Sequence, residues 1–305
     1  MRGLPKPWGS KKAQDVLTFS LMLAPAVILL LLLNVYPLLV DIQSSFYRIR
    51  FLTREMTWVG FEHYVNNITS SDFWLATWRS VLFTAGGVVT QIVGGVAIAL
   101  LLHQPLKGRG LARSLLLLPY VVPFIAMSVM WRWLLNPLTG MIGYLMYDVL
   151  HLVDKPIHWL GDPHLALFSV TMIATWIFVP FMVLMFLARL QTAPVELYDA
   201  AKIDGANGWQ EFWYVTFPWL LPTIIVAALL RTMWLFKNFA IIFLLTNGGP
   251  LDYTTTLPVY IYRTAFSDYK MGEAAAISIL MLLVQLPLII VYLRRYSKAE
   301  EQIAA

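Results

Sequence analysis

Six long apolar segments dominate the sequence and leave few folds open to it. A helix needs about 20 mostly apolar residues to cross a bilayer, and each segment is long enough. Each must be helical, because lipid offers no partner to backbone amides and no segment alternates as a barrel strand would. The sequence therefore predicts an all-α, polytopic membrane protein with six transmembrane helices. Their expected ranges are roughly 17–40, 80–102, 112–135, 165–188, 219–245 and 274–294.

The composition excludes an ordinary soluble protein. Hydrophobic residues make up 59% of the 305 residues and charged residues 13%; the charged share is about half that of a soluble domain. The absence of cysteine excludes disulfides and thiolate sites. The basic residues form no stripe with interleaved aromatic residues, so no nucleic-acid partner is predicted.

The distribution of Lys and Arg predicts the orientation of the chain. An even number of spans places both termini on one side, and the side richer in Lys and Arg faces the cytoplasm. Twelve of the 22 Lys and Arg residues lie in the tails and in loops on the side of the tails, whereas seven lie in the opposite loops. We therefore expect a cytoplasmic N-terminal tail 1–16, a six-helix domain 17–294 with a cytoplasmic loop 189–218, and a cytoplasmic C-terminal tail 295–305.

A polar segment, residues 196–218, separates the fourth apolar run from the fifth. Pro194 suits the first position of a helix, and Asp204-Gly205 is typical of a helix end at which glycine becomes left-handed. We therefore expect a helix over 194–203 and, after a turn, a second short helix over Trp209–Phe217. Such a pair could anchor the loop at the membrane surface or offer a face to a soluble partner, and the residues alone leave both readings open.

The polar segment also carries a short motif. It reads Asp199-Ala200-Ala201, then Gly205, then Pro218. This pattern resembles the E-A-A-x-x-x-G loop in the membrane subunits of bacterial ATP-binding-cassette importers, with Asp in place of the first Glu. In that family the loop is a coupling helix that sits in a cleft of the ATPase. The resemblance implies a coupling role for six residues, which are Glu196, Asp199, Ala200, Ala201, Asp204 and Gly205.

Further matches extend over nearly the whole chain and resemble the permeases for maltose, glycerol phosphate and related sugars. Two departures are Lys237-Asn238-Phe239-Ala240, where the family often has an Asp, and Gly143, where it often has an Asn. The matching segments are Tyr36-Pro37, Leu118-Pro119 with Pro123, Trp131-Arg132-Trp133, Asn136-Pro137, Trp159-Leu160-Gly161-Asp162-Pro163, Thr246-Asn247-Gly248-Gly249-Pro250, Thr254-Thr255-Thr256, Tyr260-Ile261-Tyr262 and Ala265-Phe266.

The resemblance implies the type I importer permease fold and an assembly in the bacterial cytoplasmic membrane. The implied partners are a second homologous permease, two ATPase copies, an external solute-binding protein and a sugar-like substrate. ATP and magnesium would be bound by the ATPase, and no cofactor is expected in this chain. The sequence contains no G-x-x-x-x-G-K-[ST] phosphate loop, so energy from ATP must come from a partner.

Two cations lie in the fifth apolar run, where a charge is costly unless it faces protein or water. One hypothesis is that Arg231 or Lys237, with Trp234 and Asn238 nearby, lines a translocation pathway. The alternative is a structural salt bridge or hydrogen bonds to another helix. An anionic sugar derivative would fit the first case.

The main function class is thus a transport subunit and not an enzyme. A self-sufficient secondary carrier or channel for a small polar solute is the alternative, and it would need inverted repeats or a buried acidic coupling site. No acidic residue lies well inside an apolar run. The five histidines lie in loops or at the ends of the runs, so no metal site is predicted.

Overall fold

The computed structural model describes residues 9–50, 53 and 55–304, and most of them are helical. Residues 1–8 of the expected N-terminal tail, Arg54 of the charge count and Ala305 lie outside the described residues. Within these residues, five helical segments are long and apolar enough to cross a membrane: Asp15–Ser44, Ser71–His103, Ala166–Gln191, Gly208–Phe236 and Met271–Tyr292. A sixth crossing results if the bent pair Arg109–Val121 and Phe124–Leu134 counts as one span. The predicted helical membrane fold is confirmed.

In the described part of the chain, three π-helical turns lie among the α-helices. The elements, in chain order, are α1 Gly9–Leu30, π1 Leu31–Val35, α2 Tyr36–Ser44, β1 Tyr47–Ile49, β2 Met56–Trp58, α3 Glu62–Thr69, α4 Ser71–His103, α5 Arg109–Val121, α6 Phe124–Leu134, α7 Met141–Tyr144, π2 Leu145–Val149, α8 Ala166–Gln191, α9 Val195–Ile203, α10 Gly208–Glu211, π3 Phe212–Thr216, α11 Phe217–Phe236, α12 Ala240–Thr246, α13 Leu257–Phe266 and α14 Met271–Ala304.

The first membrane segment contributes nothing to the core. None of the residues in the apolar window of Asp15–Ser44 is buried, and only its far end, α2, packs against α14. An apolar helix of this length cannot face water, so this surface must meet lipid or another subunit. The C-terminal segment is also longer than expected, because α14 continues as a helix to Ala304 through the predicted tail.

The third span is sharply bent. Val122 has an extended backbone (ψ 136°) before Pro123, and the two helical halves on either side, α5 and α6, differ in direction by 98°. The residue before a proline is pushed out of the helical region, and proline itself cannot donate a backbone hydrogen bond. The span expected over 112–135, in which prolines suggested a kink or a broken turn, is therefore two helices joined at Pro123.

The fifth span also ends earlier than the apolar run. Helix α11 stops at Phe236, and α12 starts again at Ala240. The side-chain oxygen Oδ1 of Asn238 accepts a hydrogen bond from the backbone N–H of Ile241 (3.1 Å). Asn238 thus supplies a partner to the first turn of α12, where helical amides have none. Lys237 lies at this break and not inside a helix.

Helix α4 packs against α8 and α11, and α8 is the most buried of the membrane helices among the described residues. A β-carbon at Gly95 would lie 2.7 Å from the β-carbon of Met182 and 3.1 Å from the ring of Phe186. At the neighbouring Gly94 a β-carbon would lie 3.5 Å from Val179, which is an ordinary contact. Small residues allow membrane helices to approach closely, and Gly95 is the glycine of α4 at which an added β-carbon would come closest to another helix.

We expect Gly95→Ala to destabilise the bundle by about 1–3 kcal/mol, because the added methyl group has no room against α8. The apparent melting temperature of the detergent-solubilised protein, followed by size-exclusion chromatography, measures this loss. Gly94→Ala is the matched control and should melt near the wild type. Equal losses in the two variants would contradict the close approach at Gly95.

The connections separate into two groups at the ends of the bundle, because successive spans run in opposite directions. The turn after α4 and the α8–α11 connection lie at one end. The other end carries α3, α7, α12, α13 and a small antiparallel hairpin in which Tyr47 pairs with Trp58. No pattern in the sequence predicts this hairpin, which lies outside the membrane segments.

Candidate functional site

The α8–α11 connection begins with a defined entry into a short helix. Pro194 has φ −61° and ψ 128°, so its backbone is extended and α9 begins one residue later, at Val195. The expectation that Pro194 occupies the first helical position was therefore wrong by one residue. The fixed φ of proline suits this position before the helix as well.

Helix α9 ends in a Schellman motif. Gly205 has φ +78°, its N–H donates to the carbonyl of Lys202 (3.1 Å), and the N–H of Ala206 donates to the carbonyl of Ala201 (2.9 Å). These two bonds satisfy carbonyls that a helix end leaves without partners. The predicted left-handed conformation of Gly205 is confirmed.

One face of α9 is exposed and acidic. Glu196, Asp199 and Ala200 are exposed and lie three and four positions apart, so they share a face. The carboxylate of Asp199 lies 3.5 Å from Nζ of Lys202, and both side chains are more than half exposed. Such a pair contributes little to stability, so Asp199 can exchange Lys202 for another cation. Of the other residues implied in coupling, Ala201 is half-buried and Asp204 is exposed at the helix end.

The opposite face of α9 contacts the start of the fifth span. The hydroxyl of Tyr198 lies 3.3 Å from Oγ1 of Thr216, which is buried at the end of π3. This contact ties α9 to the helix that enters the membrane. Tyr198 and Thr216 were not predicted as functional residues from the sequence, because no local pattern pairs them.

The second expected helix is not separate from the fifth span. Helix α10 begins at Gly208 and continues through π3 into α11. Its start is a capping box: Oδ1 of Asn207 accepts from the N–H groups of Trp209 (3.1 Å) and Gln210 (3.0 Å), and Oε1 of Gln210 accepts from the N–H of Asn207 (2.9 Å). The pattern Asn-x-x-Gln could have predicted this start. The short helix expected over Trp209–Phe217 is thus the first part of one long helix.

The residues proposed for a pathway are placed in different environments. Arg231 is 2% exposed, whereas Trp234 is 39% exposed and Lys237 is exposed at the helix break. Asn238 is half-buried and occupied by its hydrogen bond to α12. The structure therefore brings Arg231 and Trp234 into contact, whereas Lys237 and Asn238 lie just beyond the end of α11.

Arg231 lies among uncharged groups. Its Nε donates to Oε1 of Gln91 on α4 (2.7 Å), and its guanidinium carbon lies 4.2 Å from the ring centre of Phe178 and 5.5 Å from that of Trp234. Within the described residues, neither Nη2 of Arg231 nor Nε2 of Gln91 has a hydrogen-bond partner. The cation thus joins α4, α8 and α11 through an amide and two aromatic faces, and the salt bridge considered from the sequence is not present in the described residues.

Trp234 belongs to a row of aromatic rings on the bundle surface. Its ring centre lies 5.5 Å from that of Phe181, which lies 6.4 Å from that of Tyr120. Trp234 and Tyr120 are both exposed in part. Aromatic faces of this kind can stack on the apolar faces of sugar rings and equally on lipid or another protein.

Several of the segments flagged in the sequence meet at the far end of the bundle. A cavity of about 450 Å³ is lined by Asn136-Pro137, by Trp159-Leu160-Gly161 and by residues of the segment 246–250. Close by, Arg263 forms an ion pair with Asp252, and its hydrogen bond lowers the pKa of Asp252 below the ordinary value. The described residues contain no group of three or more His, Asp and Glu placed to hold a metal ion.

Comparisons with known proteins agree with the importer permease predicted from the sequence. Residues 91–297 match the family described as "Binding-protein-dependent transport system inner membrane component". The chain is 36% identical over 278 residues to the Escherichia coli (strain K12) inner membrane ABC transporter permease protein YcjO, which covers 91% of this chain and 93% of that protein. It is 35% identical over 277 residues to the Thermococcus litoralis trehalose/maltose transport system permease protein MalF, covering 90% and 92%.

A solved structure shares the fold. It is the crystal structure of a bacterial ABC transporter involved in the import of the acidic polysaccharide alginate, and the TM-score is 0.81. The sequence identity is 23%, and the match covers 95% of this chain and 98% of that one. The predicted importer permease fold is therefore confirmed.

Proposed function

The chain belongs to the family of binding-protein-dependent transport system inner membrane components, and we propose that it is the permease subunit of an ATP-driven importer for a sugar or sugar derivative. The observation that carries the proposal is the α8–α11 connection, which holds an exposed acidic helix face on a well-defined turn. The Thermococcus relative is named for trehalose and maltose transport, which supports a saccharide as the substrate class. The family also favours this function over a self-sufficient secondary carrier or channel.

In this proposal α9 docks on an ATPase subunit. Glu196 and Asp199 would meet basic side chains of the ATPase, and Ala200 and Ala201 would allow close approach. Asp204 and Gly205 fix the end of the helix and therefore its direction. Asp is one methylene shorter than the Glu usual in the family, so the partner cation must approach closer to the helix at Asp199.

The other parts of the transporter follow from what this chain lacks. ATP and magnesium would be bound by two ATPase copies, because the sequence has no phosphate loop. A second permease would close the passage, and an external solute-binding protein would deliver the sugar to the end of the bundle that carries α7, α12 and α13. The excess of Lys and Arg supports cytoplasmic termini and a cytoplasmic α9.

The passage in this proposal runs along the surface that carries Trp234. Trp234 and Lys237 would face it, because both are exposed in this subunit. Arg231 would hold the ring of Trp234 from behind, and Asn238 would fix the helix break beside Lys237. Trp234 and Lys237 are therefore the residues that we expect to touch the substrate.

Two measurements test the proposed function. Tagged chain purified in mild detergent from its own membrane should co-elute with a protein that 8-azido-ATP labels. Proteoliposomes that contain the whole complex, with the binding protein outside, should accumulate at least one of a panel of radiolabelled di- and oligosaccharides. ATP is supplied inside the liposomes, on the side that faces the ATPase. Proteoliposomes with this chain alone should accumulate none, and uptake by the chain alone would contradict an ATP-dependent role.

A further inference from the structure

Two residues 30 positions apart join the two ends of the α8–α11 connection. Arg189 lies in the last turn of α8, and Trp219 lies in the first turn of α11. Nε of Arg189 donates to the carbonyl of Trp219 (3.1 Å), and Nε1 of Trp219 donates to the carbonyl of Arg189 (3.1 Å). The guanidinium carbon of Arg189 also lies 3.9 Å from the ring centre of Trp219. We call this pair of residues the clamp.

The geometry of the clamp opposes rotation as well as separation. One hydrogen bond would leave the two helix ends free to pivot, whereas two bonds in opposite directions and a stacked ring fix their relative orientation. The carbonyl of Arg189 also accepts from the backbone N–H (3.2 Å) and the hydroxyl group (2.8 Å) of Thr192, so the indole N–H joins an already well-defined end of α8. Both side chains are half-buried, so water competes less for these contacts than it does at an open surface.

The residues beside the clamp are part of the core. Leu190 and Leu220 follow the two clamp residues in the sequence and are 2% and 0% exposed. They belong to one buried apolar cluster with Leu187 and Phe186. The ends of α8 and α11 are therefore held by packing on one side and by the clamp on the other.

Helix α9 is attached to this base by a second contact. Tyr198 on α9 meets Thr216, three residues before Trp219, and the Schellman motif fixes the turn that leads back from α9. The clamp thus joins the two ends of the connection, the Tyr198–Thr216 contact holds α9 against π3, and the Schellman motif fixes the turn after α9. These three contacts oppose bending of α9 relative to α8 and α11.

We propose that the Arg189–Trp219 clamp makes the α8–α11 connection a rigid unit, so that displacement of α9 moves the fourth and fifth spans together. The proposal rests on the proposed function, because the displacement is the one that a docked ATPase would impose. Arg189 and Trp219 act as positioning residues, since they hold α9 and do not belong to its exposed acidic face. Helix α11 carries Arg231, whose bond to Gln91 passes the movement on to α4.

Distances between spin labels test the clamp directly. The chain has no cysteine, so single cysteines can be introduced at Ile203, which is 86% exposed at the end of α9, and at Leu184, which is exposed on α8. Double electron–electron resonance on the full chain in nanodiscs then gives the distance distribution between the two labels. With the clamp intact we expect one narrow distribution that stays the same in the full complex with and without Mg-ATP and vanadate.

Removal of the clamp should broaden this distribution. In Trp219→Leu and Arg189→Gln, we expect the population outside the wild-type range to rise about fivefold, because a stacking contact and at least one hydrogen bond are lost. The distance should also shift with Mg-ATP and vanadate. Trp78→Leu and Arg109→Gln are matched controls, since each removes the same side-chain type at an exposed position, and both should keep the wild-type distribution.

The outcomes separate this proposal from the proposed function. An unchanged distribution in Trp219→Leu and Arg189→Gln overturns the clamp, whether or not an ATPase co-elutes. If Trp219→Leu fails to insert, Trp219→Phe replaces it, because phenylalanine keeps an aromatic ring and removes the indole N–H. A wild-type distance distribution in both Trp219→Phe and Arg189→Lys then overturns the clamp. Absence of an ATPase from the purified wild-type complex overturns the proposed function. The width of the distance distribution between the two spin labels, measured on the chain alone, still decides whether the connection is rigid.

Discussion

Gly205→Val is expected to lower ATP-driven sugar import at least about tenfold, although the variant should still insert into the membrane. Gly205 has φ +78°, a conformation that costs an ordinary residue about 1–2 kcal/mol and a β-branched residue more. The valine would leave this conformation and break the two hydrogen bonds that end α9. The helix end, and with it the acidic face, would then point away from the proposed ATPase partner.

The loss should come from the backbone and not from a clash. No atom lies within 4 Å of a β-carbon built at Gly205. Gly208 also has open space but lacks the left-handed backbone, so Gly208→Val is the matched control and should import normally. Gly205→Asn should retain most activity, because asparagine tolerates the left-handed region. Import is measured with the saccharide that the uptake panel identifies, and wild-type import by Gly205→Val would contradict the docking of α9.

The features that could be predicted from the sequence are those with a local signal. Each apolar run is a local signal, because a helix in lipid needs apolar residues along its whole length. The Asp204-Gly205 helix end is another, because a left-handed backbone favours glycine at that position. The break at Lys237 was missed because the apolar run continues on both sides of Lys237-Asn238, and only the hydrogen bond that Asn238 accepts from α12 shows that the helix stops.

The features that could not be predicted are contacts between distant residues. Arg231 and Gln91 are 140 positions apart, and the clamp residues are 30 apart. In the sequence Arg189 is one basic residue near a span end and Trp219 is one of 12 tryptophans. Neither position shows a pattern until α8 and α11 are packed side by side. The burial of Arg231 likewise follows from the rotation of α11 in the bundle, which the sequence of α11 alone does not determine.

Arg231→Ala is expected to destabilise the bundle by about 2–4 kcal/mol, whereas Arg231→Met should change its stability by less than about 1 kcal/mol. A cation in a membrane helix costs about 2.5–3.5 kcal/mol on insertion scales. The hydrogen bond to Gln91 returns about 1.5–3 kcal/mol and the stacking on Phe178 about 0.5–2 kcal/mol. These terms nearly cancel, so the charge of Arg231 adds little net stability and its volume adds most.

Methionine fills much of the same space without a charge, and alanine leaves a cavity between α4, α8 and α11. The melting temperature of the solubilised protein separates the two cases. Arg231→Met still leaves the amide of Gln91 without a partner, and adding Gln91→Leu should recover that loss. A double-mutant cycle over Arg231→Met and Gln91→Leu therefore measures the interaction between the two side chains.

Import by Arg231→Met tests whether the charge of Arg231, which adds little net stability, serves transport. We expect import to fall about threefold or more, because the ring of Trp234 loses the guanidinium that holds it from behind. Lys237→Gln is the matched control, since it removes a charge at an exposed position. The stability of this variant should stay within about 0.5 kcal/mol of the wild type, whereas its apparent affinity for the sugar should change. Wild-type import by Arg231→Met would remove Arg231 from the pathway, and a large drop in its melting temperature would show that the charge itself stabilises the bundle.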